Sequence, residues 1–239
     1  MTKSICLAMI SCGILFLSQS VSAAKYEDIQ QLDISGDKLK DMVQIQADNT
    51  DSGSLENMML RIVFGGSEKK VDIPLSAGTK PALSYADFNH DGIKDVLVTL
   101  QSAEADKLES HVYSFKNQQK TDLEFPLPVD VTGRFRDRYR ASIEVQNHTY
   151  QIDVADRKKE YEGRGLYYKG KLNEPMELIV SPYVEVRATY TVNGYSIRGV
   201  QQISGAFEED VLGEVVSVWI YQAGKWKLQQ ASFQDGHRN

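Results

Sequence analysis

The chain has 239 residues, with 27 basic against 33 acidic side chains and a formal net charge of −6. That length can bury the core of one large or two small domains, and the acidic balance argues against nucleic acid or an anionic membrane as the main partner. Both cysteines, Cys6 and Cys12, fall within the first 23 residues, so the rest of the chain has no thiol nucleophile, disulfide or Cys-ligated zinc.

Residues 1–23 read as a secretory signal peptide. Lys3 supplies the charged start, residues 5–17 a short apolar run, and Val21-Ser22-Ala23 a small-residue cleavage site. The run is too short to span a bilayer, and nothing later approaches membrane length. Met9-Ile10-Ser11-Cys12 matches a lipobox poorly. The expectation is an exported, bacterial protein, extracellular or in the periplasm or cell envelope, that does not span a membrane. Removal of the segment leaves 216 residues with 26 basic and 33 acidic side chains.

From residue 26 to 125 short apolar runs alternate with polar turns, which predicts strands. The first turn, Asp33-Ile34-Ser35-Gly36-Asp37-Lys38-Leu39-Lys40-Asp41, carries oxygens at its first, third, fifth and ninth positions and is followed by the apolar run 42–46. Residues 58–64 and 71–75 flank Gly65-Gly66 as a hairpin. Residues 82–86, 95–101 and 111–115 read as further strands, with 102–110 a polar connection that has a short helical option.

Between the strands at 82–86 and 95–101 lies Asp87-Phe88-Asn89-His90-Asp91-Gly92-Ile93-Lys94-Asp95. A hard cation such as calcium takes about six to eight oxygens, mixing carboxylate, amide and backbone carbonyl. Asp87, Asn89 and Asp91 at alternate positions, the Ile93 carbonyl and Asp95 can supply that set from one tight turn. Gly92 permits a positive φ at the reversal. The twelfth position is Val98 rather than glutamate, and flanking helices are missing, so this is not an EF-hand. The plain alternative is a surface turn, since Asn, Asp and Gly favour turns unaided. The loop at Asp33 repeats it at an offset of 54 residues, with Lys38 in place of the glycine, which makes Asp33, Ser35, Asp37 and Asp41 the weaker set.

On these residues the chain resembles the FG-GAP/VCBS-type repeats of secreted and cell-surface proteins, whose blade-like β units carry D-x-[DNS]-x-D-G-x-x-D calcium loops as in integrin-α-type propellers. The resemblance covers about residues 30–116. It implies structural calcium at Asp87, Asn89, Asp91, Ile93 and Asp95, and more weakly at Asp33, Ser35, Asp37 and Asp41. A closed propeller takes about four blades or more. Only two copies are visible, and Asp130-Val131-Thr132-Gly133 starts a third that Arg134 breaks off. The expectation is therefore two blade-like units and not a complete propeller.

Pro126-Leu127-Pro128 marks a boundary between a calcium-loop half, 24–125, and a second β-rich half, 126–239. Arg134, Arg136, Arg138 and Arg140 alternate with Phe135, Asp137 and Tyr139. One strand there would line four guanidinium groups along one face, either an anion site or a charged edge that discourages pairing. Asp156 is placed to cap a short helix running to Glu162 and ended by Gly163. Residues 167–172 suggest a tight turn between short strands. Asn193-Gly194 predicts a two-residue hairpin turn pairing Val192 with Tyr195 and Tyr190 with Ile197. Ala223-Gly224 predicts another, setting Tyr221 opposite Trp226 and Trp219 opposite Leu228. Such a ladder is a core face or a sugar-stacking platform.

Catalytic motifs are sparse. His90, His111, His148 and His237 fall in no zinc-hydrolase spacing, and no G-x-S-x-G elbow or P-loop occurs. Glu208-Glu209-Asp210 and Glu214 are the one carboxylate group with glycosidase potential. Asn147-His148-Thr149 matches a glycosylation sequon but reads more simply as a turn. Taken together the residues predict an all-β, mostly antiparallel, exported and non-enzymatic calcium-stabilised module that binds a protein or polysaccharide at the cell surface. The alternative is an exported enzyme acting on wall or extracellular polymers with calcium as a structural ion.

Overall fold

The structure, a computed structural model, describes residues 25–103 and 107–236. The expected signal peptide lies outside the described residues. The chain is mostly antiparallel β, as its alternation predicts.

Eight strands form the first sheet. Strands β1 (Lys25–Leu32), β2 (Asp41–Asn49), β3 (Leu55–Val63) and β4 (Lys70–Pro74) run as one antiparallel meander. Strands β5 (Gly78–Ala86), β6 (Asp95–Ser102), β7 (Lys107–Ser114) and β8 (Thr121–Asp122) run as a second. The 102–110 connection has no helix among the described residues, because β6 and β7 extend into it and pair Ser102 with Lys107. The two meanders join where Leu55 pairs with Gly78. A Cβ on Gly78 would stand 2.1 Å from the Gln101 carbonyl oxygen, so this seam requires glycine.

Alternation along each strand decides what is covered. Val43, Ile45, Leu60 and Ile62 of the first meander bury against Val96, Val98 and Leu100 of β6, with Phe64 meeting Phe115 edge-on at 6.3 Å. Leu97 points the other way, into a cluster with Ala86, Phe88, Val112 and Leu123. Strand β6 thus has no wet face over 95–98, which accounts for its continuous apolar run.

The cover over that second face is a four-stranded sheet of β14 (Ile179–Thr191), β15 (Gly194–Ser204), β16 (Val211–Gln222) and β17 (Lys225–Asp235). One end supplies Tyr183, Val186 and Ile197 to the cluster with Phe88 and Leu97. Its other end packs Ile203, Leu212, Val215 and Phe233 on a three-stranded sheet of β9 (Val131–Arg136), β10 (Arg140–Val145) and β11 (His148–Asp153). A short helix, α1 (Lys158–Gly163), and the two-residue strands β12 (Tyr167–Tyr168) and β13 (Lys171–Leu172) close that core through Tyr161 and Tyr167.

Several local expectations are corrected. The four arginines do not share one strand: β9 ends at Arg136, and Arg138 and Tyr139 reverse the chain at φ 63° and 54°, so that Arg136 pairs with Arg140. That turn lacks glycine, and its reversal is held by tertiary contact, with Arg138 N–H donating to the Gly170 carbonyl and Leu172 N–H to Asp137 Oδ1. Asp156 does not cap the helix. Asp153 Oδ1 accepts the Ala155 N–H ahead of it, Asp156 pairs with Arg157, and the positive φ after the helix belongs to Gly165 rather than Gly163. The Ala223-Gly224 turn forms as expected, with Tyr221 opposite Trp226 and Trp219 opposite Leu228. The Asn193-Gly194 register is shifted. Thr191 pairs with Gly194 and Tyr190 with Tyr195, because only Gly194 takes positive φ, at 103°, and Val192-Asn193 form the loop. Tyr190 and Val192 consequently stand in solvent rather than in a core face.

Candidate metal centre: two abutting aspartate loops

Both loops close equivalent hairpins. Leu32 pairs with Asp41 across the first and Ala86 with Asp95 across the second. In each, the ninth-position aspartate is buried and its Oδ2 accepts two consecutive amides: Ile34 and Ser35 at 2.9 and 3.0 Å on Asp41, Phe88 and Asn89 at 2.9 and 3.1 Å on Asp95. The first-position aspartate accepts from the far side of the turn, Lys38 N–H on Asp33 Oδ2 at 2.8 Å and Gly92 N–H on Asp87 Oδ2 at 2.9 Å. The fifth-position aspartate accepts the seventh amide, Leu39 on Asp37 and Ile93 on Asp91. These bonds satisfy donors that no strand partner reaches.

Backbone angles repeat as well. The fourth and sixth positions are left-handed in both loops, Gly36 and Lys38 at φ 84° and 70°, His90 and Gly92 at φ 61° and 85°. Each sequence places glycine at one of the two positions and a longer residue at the other.

The loops touch. A Cβ on Gly36 would lie 2.4 Å from Ile93 Cδ1, so the seventh residue of one loop sits against the fourth of the other. A 3₁₀ turn, Lys116–Gln118, straddles the pair, with Asn117 and Gln118 at φ 54° and 60°. Lys116 Nζ lies 3.3 Å from Asp91 Oδ2, Asn117 N–H donates to the Ser35 carbonyl at 2.9 Å, and Gln118 Nε2 reaches Asp37 Oδ2 at 3.5 Å. The sequence holds no local signal for this bridge.

Among the described residues no three histidine, aspartate or glutamate side chains converge as a metal group. Of the expected ligands, Asp87, Asn89, Asp91 and Asp95 all accept backbone amides of their own loop. The residue types are those a hard cation takes, but the side-chain oxygens of Asp87, Asn89 and Asp91 accept amides of their own loop and Asp91 Oδ2 also faces Lys116 Nζ. In the Asp33 loop the third-position hydroxyl, Ser35 Oγ, is buried without a hydrogen-bond partner, at the position where Asn89 turns its amide oxygen onto the Asp91 N–H. Burial pushes the Asp95 carboxyl up to about 6, against hydrogen bonds from Ser114 and the two amides that favour its charged form.

Around loop 87–95 the second half of the chain is in contact. The His90 ring is exposed to solvent on one side and meets the β14–β15 turn on the other, where a Cβ on Gly194 would stand 2.7 Å from His90 Cε1. Phe88 meets Trp226 edge-on at 6.0 Å. Trp226, Trp219, Phe125 and Leu127 line a cleft of about 670 Å³ together with Glu124, Asp130, Gln146 and Lys225. The ladder predicted from the Ala223-Gly224 turn thus serves both core and cleft.

The acidic group at 208–214 does not assemble a carboxylate pair. Asp210 is buried, 2.7 Å from Arg157 Nε, and accepts the Tyr161 hydroxyl and the Ala206 N–H, which pins α1 to the turn before β16. Glu214 lies in β16 between Gln202 and Gln234.

Residues 129–234 match the family model described as the YybI C-terminal domain. Over 218 residues the chain is 26% identical to the protein named "Uncharacterized protein YybI" of Bacillus subtilis (strain 168), covering 84% of this chain and 79% of that one. No solved structure matches significantly. No helix among the described residues is long and apolar enough to cross a membrane.

Proposed function

We propose that this is an exported, non-enzymatic β module of the FG-GAP/VCBS type, stabilised by calcium at loop 87–95 and more weakly at loop 33–41, that binds a protein or polysaccharide at the cell surface. The observation that carries the reading is the repeat itself: two loops 54 residues apart share their backbone path, their aspartate-to-amide bonds and their place in a hairpin. Calcium supplies charge neutralisation and fixed oxygen geometry when bound. The residues of the chain do the rest. Asp95 and Asp41 hold the loop amides, and Phe88 carries the rigidity of its loop to Trp226 and so to the wall of the aromatic cleft. That cleft is the docking surface, where tryptophan faces stack on a partner and the lining carboxylates, amide and ammonium fix its orientation.

Thermal unfolding of the purified chain in EDTA, in millimolar calcium and in millimolar magnesium tests this. Calcium held at about a hundred times its dissociation constant adds about 2.7 kcal/mol. An upward shift with calcium that Asp91→Ala removes is the expected result, and equal unfolding curves in all three media would overturn the calcium reading.

A further inference from the structure

We infer that the abutting turns Arg138–Tyr139 and Lys169–Gly170 form a docking patch for a phosphate-bearing sugar or polyol polymer, with Arg136, Arg138 and Arg140 as its phosphate-binding residues. None of these residues belongs to the aspartate loops or lines the aromatic cleft, so the inference does not depend on either.

Register lays out the outer face of the three-stranded sheet as polar rows. Arg136, Arg140 and Asp153 stand in one row and Arg134, Ser142 and Gln151 in the next. Arg134 is compensated, with Glu144 at 3.5 Å. Arg136 is not, since its Nε donates to the neutral Ser142 hydroxyl at 3.0 Å. Arg140 is directly opposite Arg136, where cross-strand Cβ atoms lie about 4.5–5.5 Å apart and like charges repel. Among the described residues no carboxylate stands within ion-pair distance of Arg136, Arg138 or Arg140. The nearest acids in sequence and register are engaged with backbone: Asp153 Oδ1 accepts the Ala155 N–H and Asp137 Oδ1 the Leu172 N–H.

The second turn adds to this excess of positive charge. Arg138 N–H donates to the Gly170 carbonyl at 2.6 Å and the Tyr139 ring packs on Gly170, which holds exposed Lys169 and Lys171 beside exposed Arg138. Arg138, Tyr139 and Lys169 are left-handed, at φ 63°, 54° and 50°, where glycine would be less strained. The chain thus keeps strained turns that present cations to solvent.

Charge and fork geometry decide what fits. One guanidinium saturates a carboxylate through two parallel N–H···O bonds, whereas the oxygens of a phosphate can be shared between two forks. A repelling arginine pair therefore suits phosphate better than carboxylate. The chain as a whole is acidic, at −6, so a bilayer or duplex presenting charge over a wide area is repelled around the patch. A flexible polymer taken at one patch is not. Tyr168, 64% exposed with Lys169 Nζ 5.3 Å from its ring centroid, offers an apolar surface to the neutral unit between phosphates.

Calorimetric titration of the full chain over a range of salt tests this, with phosphorylated dextran, carboxymethyl-dextran of equal charge density, unmodified dextran and a thymidine oligonucleotide. Phosphorylated dextran is expected to bind about fivefold tighter than the carboxymethyl polymer, with the oligonucleotide weaker and unmodified dextran weakest. Arg138→Gln and Arg140→Gln should each weaken that binding about threefold to tenfold and lower its log–log salt slope by about one. Arg187→Gln removes the same charge from β14, where Glu185 already pairs with Arg187 at 3.0 Å, and should leave binding unchanged. No binding to phosphorylated dextran, equal binding to all three polyanions or tighter binding to the oligonucleotide would overturn the inference. So would an affinity that Arg187→Gln lowers as much as Arg138→Gln and Arg140→Gln do, or that none of the three changes.

Discussion

Loop 33–41 and loop 87–95 reach the same shape with different residues in the demanding positions. The first puts glycine at the fourth position and lysine at the sixth; the second puts histidine at the fourth and glycine at the sixth, and all four take positive φ. The aspartates at the first, fifth and ninth positions are what the two share in full. The backbone path is thus set by carboxylates that collect the loop amides, and glycine only lowers the strain of following it.

The sharpest way to break this equivalence is at the ninth position. Asp41→Ala should cost about 3 kcal/mol or more, since it orphans buried amides. Asp41 holds Ile34, Ser35 and also Gly65 N–H, whereas Asp95 holds the backbone amides of Phe88 and Asn89. Asp41→Ala is therefore expected to lower the urea midpoint more than Asp95→Ala, and the reverse order would show that the side-chain donors Asn89 Nδ2 and Ser114 on Asp95 outweigh the Gly65 bond on Asp41.

Alkaline titration compares the larger regions that contain and flank the loops. Burial, with nearby carboxylates, pushes Tyr113 in β7 and Tyr167 in β12 up to about 12. A phenol whose folded value lies above its unfolded one adds stability that is complete below pH 10 and is lost as pH rises through 12, on the order of 2 kcal/mol for each. Phenolate absorbance should appear together with the loss of β-sheet circular dichroism. Ionisation of these tyrosines well before unfolding would contradict the packing described for them.

The glycines give a finer comparison. Gly36 and Gly92 have matching φ, 84° and 85°, but a Cβ meets Ile93 in the first and nothing within 4 Å in the second. Gly92→Ala should cost about 1 kcal/mol from backbone strain alone, and Gly36→Ala clearly more. The smallest expected effect is a gain: Lys38→Gly relieves a left-handed lysine and should stabilise the chain by about 0.5 kcal/mol, offset in part by the freer unfolded chain. A loss on Lys38→Gly would show that its side chain contributes to the loop.

Much of this was legible from residue order. The strands around 58–64, 71–75, 82–86 and 95–101 follow from short apolar runs broken by polar turns, and the Ala223-Gly224 register from turn chemistry. Spacing singled out Asp33, Asp41, Asp87 and Asp95 as cation ligands, but neither the burial of Asp41 and Asp95 nor the loop amides that all four accept was legible in it. The misreadings share a cause. Arg138 and Tyr139 reverse without glycine because Gly170 and Leu172 brace them, and Asn193-Gly194 makes a turn in which only the glycine is left-handed. The bridge by Lys116–Gln118 joins residues about 80 apart in sequence, and no short-range signal reports such a contact.

Strand β6 carries one more consequence. With Val96, Val98 and Leu100 supporting the first meander and Leu97 supporting the long terminal sheet, each half of the chain is part of the other's solvent shield. A chain cut at the Pro126–Pro128 stretch would leave Phe88, Leu97, Val112 and Leu123 facing water, so the N-terminal piece alone should be sticky and poorly soluble. The intact chain should melt in a single step, with calorimetric and van't Hoff enthalpies in agreement, even though its described residues form three buried clusters.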